Sequence, residues 1–375
     1  MKLLYCISGT YNSGGMERVL SNKANYLAAR GYDIVIVTTD QRGKKPFFPL
    51  DKRIKCIDIA VNYETNNGKS FFNKLIHYPF KQIKHKRRLT EIIRAEKPDI
   101  VISMFCNDAS FLPLIKDGSK KVLEIHFSRF KRLQYDRKGL WRLADKWRNR
   151  NEAKLVSRFD KFVVLTNEDK KYWGNLSNIS VIPNAQTFVC GQPVPLIQKK
   201  VVAIGRYTYQ KGFDMLLQAW ALVCMHVTDW HLQIVGDGEL REALQRQVSE
   251  LGLEKNVCLC PATTDIKTVY QQASLLVMSS RYEGFGMVLL EAQTAGVPVV
   301  SFDCKCGPSE IIKDGITGYL IPEGDIQGMA DKILTLISNE GLRKKIGKQA
   351  FDDSFRFSEE RIMKLWVDLF DTLLR

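Results

Sequence analysis

No run of apolar residues in the chain approaches the roughly 18–20 that a helix needs to cross a bilayer, so no membrane span is expected. The opening stretch MKLLYCISGTYNSGG holds an apolar segment of about six residues, too short for a secretory leader, and shows no cleavage pattern. A cytoplasmic location is therefore expected. CxxC spacing is absent: the nine cysteines include only Cys258/Cys260 and Cys304/Cys306 as near neighbours, and neither spacing suits a zinc knuckle. Reduced structural thiols and no metal are expected. There is no Asp-x-Asp pair, and helix-turn-helix, zinc-finger and RNP signatures are missing. Acidic residues are also short, 41 against 56 Lys and Arg, which leaves a net charge of +15. That imbalance implies an anionic partner: nucleic acid, anionic lipid or a phosphorylated substrate.

What is present reads as two α/β domains. The 375 residues, 45% hydrophobic and 26% charged, suffice for two independent cores. Apolar runs at Lys2–Ser8, Asp33–Thr38, Pro98–Met104, Lys121–His126 and Lys161–Thr166 alternate with helical patterns such as Met16–Arg30. The alternation restarts with Lys200–Gly205, the helix Phe213–Met225, His231–Val235, Val257–Cys260, Ser274–Met278, Val297–Phe302 and Gly318–Ile321. Strands alternating with helices argue parallel sheets covered on both faces. The expected fold is two doubly wound Rossmann-like domains facing across a cleft, 1–190 and 191–357. The aperiodic Cys190–Gln198 stretch marks the junction, and an amphipathic helix over 358–375 packs back on the first domain. Ligands in such domains sit beyond the carboxyl ends of the strands.

Three glycine-rich loops carry candidate chemistry. Ser8–Val19 (SGTYNSGGMERV) follows the first strand and opens a helix. Gly14 and Gly15 permit close backbone approach, so the loop is either an anion site at a helix start or a tight strand-to-helix turn. Gly205–Asp214 (GRYTYQKGFD) places Arg206 and Lys211 after a strand, suited to a diphosphate leaving group or merely solvated. Ser279–Glu291 (SSRYEGFGMVLLE) places Glu283 ahead of Gly284 and Gly286, and Glu291 one turn into the helix that follows. Free amides at that helix start suit an anion, and Glu291 suits ribose hydroxyls.

The order and spacing of these pieces, with Gly236-Asp237-Gly238, resemble retaining glycosyltransferases of family 4, which have the GT-B fold. The resemblance covers most of the chain. It implies that Arg206 and Lys211 bind the donor diphosphate, Glu291 the ribose and Glu283 the transferred sugar. Backbone amides of Phe285, Gly286, Met287 and Val288 contact the donor, and the Val257–Ala262 loop, with Cys260 and Pro261, lies beside uracil. His126, in LEIHFS, matches a histidine that such enzymes often aim at the transferred sugar; otherwise it is a satisfied core residue. Asn184, in VIPNA, helps position the donor. Ser301–Ile312 (SFDCKCGPSEII) resembles members that build bacterial surface or lipid-linked glycans from a galactose-type or N-acetylhexosamine donor; read alone, it is a turn with Ser309 as helix N-cap.

The positive charge concentrates in Lys69–Thr90, with seven Lys or Arg and no acid among interleaved aromatic and aliphatic residues, and in Lys120–Arg150, with eleven Lys or Arg against three acids. Pro79 fits the first turn of a helix running towards Ala95. These basic amphipathic segments, with Trp141 and Trp147, suit an anionic membrane surface or a polyprenyl-linked diphosphate. The resemblance therefore implies transfer of a hexose or N-acetylhexosamine from a UDP-sugar to a polyprenyl-diphosphate-linked glycan. Neither metal nor cofactor is expected, and the enzyme sits peripherally on the inner face of the plasma membrane. An epimerase or phosphorylase on the same fold is the competing enzyme class; a basic membrane- or nucleic-acid-binding protein is the competing non-enzyme.

Overall fold

The computed structural model describes residues 1–66, 71–129 and 151–375. The chain divides into two compact units, Met1–Pro183 with Glu360–Arg375, and Asn184–Glu359. The second unit thus begins seven residues before the expected junction at 191. The segment from Asn184 to Gln198 is tied into it: the Gln186 amide donates to the Phe357 carbonyl at 2.9 Å, and the Val194 amide to Ala295 at 2.9 Å.

The first unit holds a seven-stranded parallel sheet: β1 (Lys2–Ile7), β2 (Asp33–Thr38), β3 (Lys55–Asp58), β4 (Ile100–Ser103), β5 (Lys120–Glu124), β6 (Lys161–Val164) and β7 (Ile179–Val181). The strand order is β3-β2-β1-β4-β5-β6-β7. Helices α1 (Gly15–Ala29), α2 (Phe71–Glu96) and α3 (Asn167–Trp173) belong to this unit. The central strands are rich in Val, Ile and Leu because both their faces are covered: Leu3, Leu4, Val35, Ile36, Ile100, Val101 and Ile102 are all fully buried.

The second unit repeats the plan with six parallel strands: β8 (Lys200–Ile204), β9 (His231–Val235), β10 (Val257–Cys260), β11 (Leu275–Met278), β12 (Val299–Phe302) and β13 (Tyr319–Ile321). Their order is β10-β9-β8-β11-β12-β13. Around them run α4 (Phe213–Cys224), α5 (Arg241–Glu250), α6 (Ile266–Gln271), α7 (Met287–Ala295), α8 (Pro308–Ile311), α9 (Ile326–Ser338) and α10 (Glu340–Ser354). The core joins Trp220, Leu216 and Phe213 of α4 to Val201, Ile234 and Val300 of the sheet and to Met329 and Ile333 of α9. The last helix, α11 (Glu359–Leu374), belongs almost wholly to the first unit.

Each sheet reverses its winding once, between β1 and β4 and between β8 and β11. A crevice opens at such a reversal because the connections leave in opposite directions, and ligands of doubly wound sheets bind there.

Two local expectations need correction. Helix α2 starts at Phe71, so Pro79 lies inside it rather than in its first turn. Pro79 is solvent-exposed. Water can therefore take over the carbonyl that the missing N–H leaves unpaired, and the helix runs through. Ser309 does not cap α8: the cap is Gly307, at φ 137°, with Pro308 in the first helical position. A side chain on Gly307 would meet the Phe285 carbonyl at 2.3 Å, so only glycine fits.

Candidate active site

In the second unit the candidate residues gather at the winding reversal. Arg206 and Lys211 follow β8, and Glu283 follows β11, the two strands that flank it. Cross-links fix the two loops together. Lys211 Nζ lies 2.7 Å from Glu283 Oε1, and the Ser280 hydroxyl donates to the same oxygen at 2.6 Å. Ser279 Oγ donates to the Lys211 carbonyl at 2.9 Å. Arg281 forks onto both carboxylate oxygens of Asp214, at 2.9 and 2.6 Å, and covers the Tyr209 ring at 4.1 Å. Such a two-point fork fixes orientation as well as charge.

Glycines let the loops come this close. A side chain on Gly205 would strike the Lys211 stem at 2.9 Å, and one on Gly212 the Ser279 carbonyl at 2.1 Å. Gly236 is buried with the Gly205 carbonyl 1.9 Å from where its Cβ would lie. What Gly236 supplies is close passage of the loop after β9 over the loop after β8. The Tyr207 amide donates to the Asp237 carbonyl at 2.8 Å across the same contact.

The Glu283 side chain is buried, whereas Arg206 is exposed and its guanidinium has no hydrogen-bond or ion-pair partner among the described residues. An unpaired, solvated guanidinium in the same loop as the part-buried Lys211 leaves an anion-ready charge after β8. Helix α7 is capped at its start by Gly286, φ 88°, a conformation open to glycine at no steric cost. Phe285 is buried and meets Phe357 edge-on at 5.7 Å, which anchors the glycine-rich turn. Glu291, on α7, is 4% exposed; Thr187 Oγ1 donates to its Oε1 at 2.9 Å, and the Tyr270 hydroxyl lies 3.1 Å from Oε2. Cys260 ends edge strand β10, with Pro261 exposed beyond it. The Cys260 carbonyl lies 2.8 Å from the Tyr207 hydroxyl. Asn184 is buried at the start of the unit.

The remaining candidates lie in the first unit. Gly14 caps α1 and Gly15 opens it. Glu17 in that first turn already complements the helix dipole. His126 follows β5 with its side chain only 5% exposed, Nε2 3.0 Å from Glu124 Oε1 but without the alignment of a directed hydrogen bond. Glu124 receives Lys23 Nζ at 2.6 Å on both oxygens, and both side chains are 1% exposed. The Lys23 ammonium in turn sits 3.7 Å above the Trp366 ring of α11. Burial alone would push the Glu124 carboxyl up, but the charges of Lys23 and His126 hold it down at about 2. His126 thus borders the buried Lys23–Glu124 pair.

Sequence reasoning missed Thr187, Tyr270, Ser280, Arg281 and Asp214. Their pairings span 3 to 104 residues of chain, and no motif encodes them. Among the described residues, no group of three or more His, Cys, Asp or Glu is placed to hold a metal ion, and no helix is long and apolar enough to cross a membrane.

The basic helix α2 divides its charges. Lys81, Lys84 and Arg88 donate to backbone carbonyls of the segment Ile59–Asn62. Phe80 (69% exposed), Ile83 (67%), Lys86 and Arg87 remain at the surface. Trp141 and Trp147, and most of the second basic region, lie outside the described residues.

Comparison with known proteins agrees with this architecture. Residues 13–185 match the family model described as Glycosyltransferase Family 4, and residues 192–353 match the model described as Glycosyl transferases group 1. The amylovoran biosynthesis glycosyltransferase AmsD of Erwinia amylovora is 30% identical over 98% of this chain and 99% of its own. A poly(ribitol-phosphate) alpha-N-acetylglucosaminyltransferase of Staphylococcus aureus is 28% identical over 84% of this chain and 62% of its own. The structure of S. aureus TarM, a mutant in complex with fondaparinux, alpha-GlcNAc-glycerol and UDP, superposes with a TM-score of 0.80 at 20% identity, covering 99% of each chain. The chain belongs to glycosyltransferase family 4 and has the GT-B fold. It is a transferase enzyme.

Proposed function

We propose that the enzyme moves a hexose or N-acetylhexosamine from a UDP-sugar to a polyprenyl-diphosphate-linked glycan, with retention of anomeric configuration, during assembly of a bacterial surface polysaccharide. The observation that carries this reading is the convergence of Arg206, Lys211 and Glu283 on the winding reversal of the second unit. The kinship with an amylovoran enzyme and the UDP held by TarM support the substrate class.

In this reading the second unit, with Asn184 at its start, binds the nucleotide sugar and the first binds the acceptor. Arg206 and Lys211 neutralise the diphosphate, helped by the amides of Phe285 to Val288 at the start of α7. Glu291 takes the ribose, Glu283 the transferred sugar, and the loop with Cys260 and Pro261 flanks uracil. Gly14, Gly15 and His126 are the first unit's candidate contributions to substrate binding. The C1–O bond to the β-phosphate breaks as a C1–O bond to the acceptor hydroxyl forms on the same face. The hydroxyl proton passes to the departing phosphate oxygen. The protein's work is electrostatic: cations fixed before the reaction stabilise charge that develops on the leaving group, worth about 10²–10³ in rate for a single donor. No metal or cofactor takes part in this scheme. The exposed face of α2, Phe80 and Ile83 beside Lys86 and Arg87, rests on the anionic inner face of the plasma membrane.

The test incubates UDP-sugars and GDP-mannose with the protein, with and without polyprenyl-diphosphate glycans. A glycan extended by one α- or β-linked sugar matching the donor anomer is expected. Donor rearranged or cleaved equally well without acceptor would overturn this reading in favour of an epimerase or phosphorylase.

A further inference from the structure

Glu291 is a carboxylate buried to 4% exposure, and its two oxygens are held by hydroxyls from two separate parts of the second unit. Thr187 Oγ1 donates to Oε1 at 2.9 Å. The Tyr270 hydroxyl, at the end of α6, lies 3.1 Å from Oε2 and 3.1 Å from the Val288 carbonyl one turn earlier on α7. Its single proton goes preferentially to the carboxylate, because a charged acceptor makes the stronger bond.

Both hydroxyls are themselves fixed. Tyr270 is fully buried, and its ring lies 6.0 Å from that of Phe188. Thr187 follows Gln186, which is tied at both backbone and side chain: its amide donates to Phe357, and its Nε2 donates to the Ser354 carbonyl at 3.1 Å and hydroxyl at 2.9 Å. A glutamate side chain otherwise loses substantial rotamer freedom when it is immobilised. Here that ordering is complete before any ligand arrives.

We propose that Thr187 and Tyr270 are positioning residues that fix the plane of the Glu291 carboxylate, and that this fixed plane selects a ribonucleotide, with both ribose hydroxyls, over its deoxy counterparts. The proposal rests on the assignment of Glu291 to the ribose made above. Two vicinal hydroxyls at a set angle are read well by an acceptor held in one plane and poorly by one that swivels. A misplacement of about 1 Å is enough to forfeit most of such an advantage. Neither residue touches the reacting atoms.

The test measures binding of UDP, 2′-deoxy-UDP and 3′-deoxy-UDP by calorimetry, so no donor sugar need be known. The wild type binds UDP about 10- to 100-fold more tightly than either deoxy analogue, the range for a lost hydrogen bond to a charged group. In Thr187→Val and Tyr270→Phe, which keep side-chain volume, the ratio falls at least about threefold towards one. Thr187→Ser restores it. A merely structural role would weaken all three nucleotides alike and leave the ratio unchanged. Ratios that stay at the wild-type value in both variants but collapse in Glu291→Ala overturn the inference while the ribose assignment stands. A wild type that binds UDP without distinguishing the deoxy analogues overturns the assignment and the inference together.

Discussion

Replacing Lys23 by methionine strands a carboxylate in the core of the first unit. The Lys23 stem is retained in length and shape, so the change is chiefly electrostatic. Lys23 Nζ contacts both Glu124 oxygens at 2.6 Å, both side chains are 1% exposed, and the ammonium lies 3.7 Å above the Trp366 ring. Removing one member of a buried pair costs about 3–5 kcal/mol, because the other keeps its burial but loses its main counter-charge, here leaving Glu124 only the His126 imidazole at 3.0 Å. Loss of the desolvated cation–π contact adds up to about 2 kcal/mol, part of which the methionine sulfur recovers. For a unit of about 200 residues, each kcal/mol shifts the midpoint by about 2–4 °C, so a total of about 3–7 kcal/mol should lower the melting of the first unit by about 6–28 °C.

The pH dependence adds a signature that a packing defect lacks. In the wild type Glu124 sits at about 2, below its ordinary 4.5, so its stabilisation is complete above 4.5 and is lost as pH falls towards 2. Without the ammonium, burial raises the carboxyl against His126 alone. The penalty in Lys23→Met is then largest at pH 7.5 and shrinks at pH 5. Lys23→Met combined with Glu124→Leu removes both charges and should recover most of the loss, since apolar replacement of a buried pair is often neutral or stabilising. Differential scanning calorimetry at the two pH values reads all of this. A Lys23→Met midpoint within about 1 °C of wild type at pH 7.5, or a penalty that does not shrink at pH 5, would refute the reasoning.

Three further outcomes are expected. Asp108 is buried, and its Oδ2 has no hydrogen-bond partner among the described residues; burial raises its carboxyl from 3.8 to about 6, so its favourable contribution exists only below 3.8 and is lost as pH rises through 6. Asp108→Asn should therefore stabilise the protein by about 1–3 kcal/mol at pH 7.5 with little effect near pH 4, checked by urea melts at both. Phe80→Ser with Ile83→Ser should lower sedimentation with phosphatidylglycerol vesicles about tenfold at physiological salt; unchanged binding would contradict the membrane role of α2. Cys258 is exposed whereas Cys304 and Cys306 are buried, and burial pushes the Cys304 thiol well up. Maleimide should therefore label the two exposed thiols, Cys56 and Cys258, ahead of the buried ones, and UDP should slow labelling of Cys258 but not of Cys56 if the loop after β10 flanks the base.

Much of the fold was legible because strands buried on both faces announce themselves. Ile34–Thr38 and Leu275–Met278 are unbroken runs of β-branched and large apolar residues, and Val299–Phe302 is broken only by Ser301. β3 (Lys55–Asp58) and β7 (Ile179–Val181) escaped notice because they are three or four residues long and partly exposed, with no run to read. Helix α2 was misjudged at its start because Pro79 in solvent costs less than a proline in packed surroundings. At the site, the residues of the glycine-rich loops were readable from local spacing. Their supports were not: Thr187 reaches Glu291 across 104 residues, and Arg281 reaches Asp214 across 67. Those contacts come from which strands lie beside each other, and no local pattern carries that information. Gly236 shows the converse: its place in the Gly236-Asp237-Gly238 turn is readable in the sequence, but the Gly205 carbonyl packed against it is not.

Titration of UDP into the wild type and into Arg206→Ala puts the donor site to the most direct trial. Arg206 is exposed and unpaired among the described residues, so its removal should leave the fold and its melting temperature intact. UDP is predicted to bind the wild type and to bind Arg206→Ala about 10- to 100-fold more weakly. Equal affinity for the two proteins, or no binding by the wild type, would contradict a nucleoside diphosphate held at the end of β8.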